Sequence, residues 1–314
     1  SVQLGVRLFN YGGQDLSGYS LTYQIDDDTA HASGASAVVL PHQDTVVRLM
    51  SQLMTPGRHT VKAVLTVPGD TIHVNDTITR TLNVRFCAGH YSIGGTSADY
   101  PNVAVAIDTL RHAGVAGAVT FDINNGTYSN QLLLEAVDGA SVRNTVRFRS
   151  ASGVASDVVL THNPTNAANY VVKIEGASYI SLDSLTIYAG YASGSGNNIY
   201  ANALVVSNSS NLSFNGNHIV SKATSASSTN ASAVVMNGTL NNIALRNNVI
   251  DSGYSSLKVS ADAGSATLLV EGNTISKFWC NGIWVREMND VTIRQNTVTG
   301  GMTVNKPLTG IYVA

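Results

Sequence analysis

Charge is scarce in this chain of 314 residues: Asp, Glu, Lys and Arg together make up 12%, about half the 25% of an average domain. The net charge is −2, which gives no electrostatic reason to expect nucleic acid or an anionic membrane as a partner. Cysteine is scarcer still, with two in the chain, Cys87 and Cys280. Neither these nor the scattered histidines have zinc-like spacing, which argues against a zinc centre. No run is apolar and long enough to predict a membrane-spanning helix. Hydrophobic residues nevertheless reach 44%, too many for a disordered chain. Ser, Asn, Thr and Gly fill the gap left by charge, which suits a β-rich fold with a solvated, weakly charged surface.

What is present is a repeated eight-residue phrase. Its apolar first, third and eighth places are Ile180, Leu182 and Ile187 in a loose first copy, then Leu212, Phe214 and Ile219. The later copies are Ile243, Leu245 and Ile250, then Leu268, Val270 and Ile275, then Val291, Ile293 and Val298. The sixth place is Leu185, Asn217, Asn248, Asn273 and Asn296, at spacings of 32, 31, 25 and 23 residues. A fixed phrase at a variable period of tens of residues predicts a solenoid with loops of different length. Its period-two alternation predicts strands. A second short apolar stretch precedes each phrase, at 172–174, 204–206, 234–236, 257–259 and 283–285, with a last one at 311–313. Two or three short strands per turn predict a parallel β-helix, with coils stacked at about 4.8 Å. Asn217, Asn248, Asn273 and Asn296 then form a structural ladder, expected at a bend where Asn tolerates the left-handed conformation and amides bond along the stack. Leucine-rich repeats are the competing architecture; the Ser-, Ala-, Thr- and Asn-rich stretch 223–242 lacks the helix or regular Leu period they need.

Residues 1–86 lack the repeat. Alternating stretches at 2–8, 19–25, 46–49, 59–65 and 77–84 are separated by turn signals, among them Pro56-Gly57 and Pro68-Gly69. Short strands at this spacing predict an antiparallel immunoglobulin-like β-sandwich. Phe86, Cys87, Ala88 and Gly89 read as a linker. Residues 100–110 carry apolar side chains at helical spacing, with Gly114 and Gly117 behind them. A solenoid needs its first coil covered, so 87–117 is read as linker and N-terminal capping helix, and 118–314 as the β-helix.

Several stretches carry a resemblance: His90-Tyr91, Ile93-Gly94-Gly95, Tyr100, the helix, Val119-Thr-Phe121-Asp-Ile123 and Gly126-Thr-Tyr128. They resemble the start of right-handed parallel β-helix modules, of the pectate-lyase-like superfold, in large secreted surface proteins of Bacteroidetes. The front segment, with Asn10-Tyr11-Gly12 and the stretch 53–57, is similar to the adhesion-type immunoglobulin-like modules that often precede them. The resemblance implies an all-β architecture and export to the bacterial cell surface, commonly by the type IX route. It is poor in activity, because such modules include lyases, hydrolases and adhesins. Neither end carries a start or cap signal, and the C-terminal coil stops in a strand; the chain is expected to be part of a longer polypeptide or assembly.

Candidate chemistry is thin. Cys280 is placed several coils from Cys87, roughly 20 Å at the strand spacing, beyond the reach of about 7 Å between Cα atoms that a disulfide allows. The outward places of the shorter strands are Lys173, Val205, Val235, Lys258, Trp284 and Tyr312, followed by Glu175, Ser207, Asn237, Ser260 and Arg286. No carboxylate pair stands there, and glycoside hydrolysis needs one. Lys258 as base and Arg286 as uronate neutraliser would suit a polysaccharide lyase; the plainer reading is solvated surface. Asp183, Asn215, Arg246, Glu271 and Arg294 form another outward row, read as charge pairing. Trp284 and Tyr312 should stack outward beside Lys258 and Arg286, with Phe278 and Trp279 nearby, a strip suited to a sugar face or a protein. Asp26-Asp27-Asp28 is a candidate contributor to a calcium site, although a solvated turn accounts for it more simply. The leading expectation is a non-catalytic surface protein that binds polysaccharide or a cell-surface protein, or serves as a rigid segment. The alternative is a lyase or other carbohydrate-active enzyme acting on the β-helix face.

Overall fold

The computed structural model describes residues 3–33, 37–190, 199–221, 228–300 and 308–314. Val2 and residues 223–227, used in the sequence reading, lie outside them. The chain divides into two compact units between Arg85 and Phe86.

The front unit holds two antiparallel sheets. Gly5–Phe9 pairs with Asp44–Arg48. The other sheet has the order His31–Ser33, Ser20–Ile25, Gly57–Thr66, Thr77–Val84. Period-two alternation turns Leu21 and Tyr23 inward, against Leu8, Val47, Leu49 and Ala63.

The second unit is a parallel β-solenoid. Three sheets form it, and from Val119 onward each coil supplies one strand to each. Sheet A begins at Leu132–Leu134 and ends at Thr309–Val313. Sheet B runs from Gly89–Ile93 to Asn289–Arg294, and sheet C from Gly126–Tyr128 to Thr297–Val298. Every pairing within these sheets is parallel; in sheet B, for example, Leu212, Ile243, Leu268 and Val291 are in register. The repeat phrase is thus a sheet B strand, a bend and the start of a sheet C strand. Its first- and third-place side chains, including Phe214 and Leu245, fill the core with Ile219 and Ile250 from sheet C.

Two boundaries differ from the sequence reading. Phe86, read as linker, is fully buried in the solenoid core, edge-on to Tyr91 at 4.8 Å and to Phe121 at 5.3 Å. Gly89–Ile93, also read as linker, is the first strand of sheet B, with Tyr91 opposite Phe121 and Ile93 opposite Ile123. Its alternation of Tyr91 and Ile93 is one period long, too short to register as a strand without its partner. Helix Val103–Ala113 follows, capped by the Asn102 carboxamide on Val105 N–H (3.0 Å) and ended by Gly114 at φ 66°. Val103, Ala106, Ile107, Leu110 and Ala113 bury its apolar face in the same core.

The Asn ladder has a different backbone from the expected one. The left-handed residue is not the sixth-place Asn but the fifth-place residue before it: Ser184, Gly216, Asn247, Gly272 and Gln295, at φ 53° to 67°. This turn frees the sixth side chain to point inward. Asn217, Asn248 and Asn273 are each 1% exposed, where an unpaired amide would be costly.

Candidate functional site

The outer face of sheet A brings Lys258, Trp284 and Tyr312 into one register file. Arg286 stands two residues along from Trp284, outward for the same reason of alternation. The Trp284 and Tyr312 rings stack at 6.2 Å with 14° between their planes. Lys258 Nζ lies 5.9 Å from the Trp284 ring centre and Arg286 Cζ 5.8 Å, both within cation–π range. Trp284 is half-buried and Tyr312 is 43% exposed. Among the described residues no carboxylate pairs with Lys258 or Arg286, so both charges remain available to an anion. Phe278, expected beside this strip, is instead 1% exposed within the core, packed close to Gly282, whose added Cβ would meet the Phe278 ring at 3.0 Å. Val205, expected outward in the same file, is 8% exposed. Lys173, further along it, is paired to Glu175 at 2.7 Å.

The ladder residues face inward at the bend between sheets B and C. Each amide oxygen accepts from the coil before it: Asn248 Oδ1 receives Asn217 N (2.9 Å) and Asn217 Nδ2 (3.1 Å). Asn248 Nδ2 in turn donates to Phe214 O (3.0 Å) and to Asn273 Oδ1 (2.9 Å). Asn273 and Asn296 repeat the pattern at 2.9 Å. Leu185, in the ladder's first place, donates its backbone N–H to Asn217 Oδ1 at 3.0 Å. These amides are saturated by their neighbours, which makes the ladder structural rather than ligand-binding.

Sheet B carries a charged cluster that the sequence reading missed. Asp122 Oδ2 meets His90 Nδ1 at 2.7 Å and its Oδ1 accepts from Arg149 Nε at 2.5 Å. Arg147 Nε donates to Asp183 Oδ2 at 2.5 Å. Burial pushes the Asp183 carboxyl above its ordinary value, against the opposing pull of Arg147. Burial also raises Asp122, but the hydrogen bonds from His90 and Arg149 outweigh it and hold it low. Aligning 119–123 and 146–149 with the repeat phrase would have found the file, since Asp122, Arg149 and Asp183 share one register. Further along, Glu271 sits between Arg246 (3.3 Å) and Arg294 (2.7 Å).

In the front unit Asp26, of the Asp26-Asp27-Asp28 turn, is occupied by His59 Nδ1 (2.7 Å) and Thr60 N–H (2.8 Å). Among the described residues no cluster of three metal-ligating side chains occurs. Cys87 and Cys280 are both free thiols. Among the described residues no helix is long and apolar enough to cross a membrane.

No known family model matches the chain, and no curated protein does either. Among solved structures it is similar to a crystal structure of the pectin methylesterase from Aspergillus niger, at 15% identity and a TM-score of 0.40. That likeness covers 74% of this chain and 86% of the other. It is too slight to bear on chemistry.

Proposed function

We propose that this is an extracellular, non-catalytic surface module in which a right-handed β-helix, preceded by an immunoglobulin-like sandwich, binds carbohydrate along sheet A. The carrying observation is the stacked Trp284–Tyr312 pair flanked by Lys258 and Arg286, two cations without a carboxylate partner among the described residues. Aromatic surface suits the apolar face of a sugar ring, and the two cations suit an acidic one. The right hand follows from the strong chirality preference of parallel crossovers. Two antiparallel sheets in the front unit support the sandwich reading. The surface location rests on the resemblance to secreted Bacteroidetes modules.

Lyase chemistry is the weaker reading. A lyase needs a proton donor for the leaving sugar as well as a base, and beside Trp284 both roles would fall to Lys258 and Tyr312, with no carboxylate paired to Lys258 or Arg286 among the described residues. The test is a glycan-array screen of the chain, with the same wells followed for the ultraviolet absorbance of unsaturated uronate. Binding without product is the expected result. Trp284→Ala should then weaken it about tenfold, the loss of roughly 1.5 kcal/mol of ring contact and cation–π attraction. Binding to acidic glycans should also fall as salt is raised. Product formation would replace the binding reading with an enzymatic one, and silence in both channels would leave a structural segment.

A further inference from the structure

An uncovered apolar floor lies in the front unit. Residues directly opposite in an antiparallel pair share a face, so Val61 and Ala63 stand beside Arg80 and Ile78 on the inner side of the larger sheet. The facing layer has two strands, Gly5–Phe9 and Asp44–Arg48, and they do not reach across. Ile78 is left 41% exposed although it stands next to Ala63, which is 3% exposed. Between Gly5–Phe9 and Thr77–Val84 a groove of 370 Å³ opens, floored by Val61, Ala63 and Leu65.

Both walls of this groove are strand edges. Among the described residues Gly5–Phe9 pairs only with Asp44–Arg48, and Thr77–Val84 only with Gly57–Thr66. Each edge presents a row of backbone donors and acceptors toward the same apolar gap, the requirement for strand addition. A cavity of about 150 Å³ holds one benzene-sized group, so the groove has room for two or three apolar side chains. Arg80 lines it and has no carboxylate partner among the described residues, whereas Arg7 is paired with Asp44 at 2.7 Å.

We propose that this groove receives one extended strand from a partner polypeptide, added antiparallel to Gly5–Phe9. Its alternate side chains are apolar and enter the groove, and it carries a carboxylate against Arg80. Antiparallel addition is the commoner and slightly stronger geometry. A second copy of this chain is a poor occupant by its edge strand Thr77–Val84: the face with the apolar Ile78 and Leu82 brings Arg80 and no carboxylate, and the other face carries Thr77, Thr79 and Thr81.

The probe is a synthetic peptide of about eight residues, alternating Val with Thr and with one Glu in register with Arg80. It is titrated into the whole chain by fluorescence anisotropy, with amide exchange read in parallel. The expected result is saturable binding that slows exchange at Gly5–Phe9. Replacing two Thr residues by Pro removes two edge hydrogen bonds and should weaken binding about thirtyfold, at roughly 1 kcal/mol for each bond lost. Arg80→Glu should weaken the Glu peptide and favour a Lys peptide; this side chain is at the rim, so the variant keeps its fold. Absent binding, equal binding of the Pro peptide, or protection elsewhere would overturn the proposal. Concentration-dependent dimers that protect the same amides would also overturn it, by assigning the groove to a second copy.

Discussion

Asn248 shows how much a single amide does in this fold. Its side chain saturates four buried neighbours: Asn217 N and Nδ2, Phe214 O and Asn273 Oδ1. Leaving buried polar groups unpaired costs about 1–3 kcal/mol each where they cannot find water. Asn248→Ala should therefore lower unfolding stability by about 3 kcal/mol in urea titration, after partial relaxation. Asn296→Ala, at a half-buried rung, should cost about 1 kcal/mol. Equal losses at both positions would mean that burial does not set the strength of the ladder. On sheet B the neighbouring Asp183 makes a contrasting case. Its carboxyl is raised by burial, so its charged form is tolerated rather than favoured, and Arg147 is the compensation.

At the scale of elements, the bends decide where strands end. Asn247, at φ 53°, makes the turn that points Asn248 inward, and its Nδ2 donates to Asn215 Oδ1 at 3.1 Å. A β-branched residue in the left-handed region is strained by about 1–2 kcal/mol. Asn247→Val should lose at least that in thermal or urea unfolding, whereas Asn247→Gly should stay within about 0.5 kcal/mol, since Gly accepts that φ without strain. Helix Val103–Ala113 depends on its cap in a similar way. Asn102→Ala removes the acceptor for Val105 N–H and should cost about 1 kcal/mol, detected as faster amide exchange in the helix's first turn. Both effects are local, so neither should alter the glycan binding proposed at Trp284.

At the scale of the whole molecule, the two units answer pH separately. In the front unit, hydrogen bonds from Thr60 N–H and then His59 hold Asp26 below its ordinary value of 3.8. Burial pulls His59 down, but Asp26 and Thr55 O outweigh it and leave His59 above 6.5. A lowered carboxyl contributes stability above its unfolded value and loses it as pH falls through the folded one. A raised imidazole contributes stability below its unfolded value and loses it as pH rises through the folded one. The front unit should thus be most stable between pH 3.8 and 6.5, seen as slowest exchange of the Ser20–Ile25 amides. His59→Gln should flatten the alkaline side of that profile; an unchanged profile would remove the pair from the account.

The solenoid was legible because its signal is written several times. Apolar residues at places one, three and eight recur in five successive coils, and only a stacked parallel arrangement buries all of them at once. Residues at the start of the solenoid were less legible. Phe86 and Gly89–Ile93 occur once, with no repeat to betray them, and their roles depend on Phe121 and Ile123, about thirty residues away in register. Distance along the chain also hid the His90–Asp122–Arg149 cluster, whose partners are 32 and 27 residues apart. Periodicity by itself determined which side chains point in and which point out, because alternation is a local property of an extended backbone. Tertiary structure alone decided which outward residues become neighbours, because strand register and bend conformation set those distances. That is why Trp284, Lys258 and Arg286 could be placed on one face from the sequence, while the open groove beside Gly5–Phe9 emerged only once both sheets were packed.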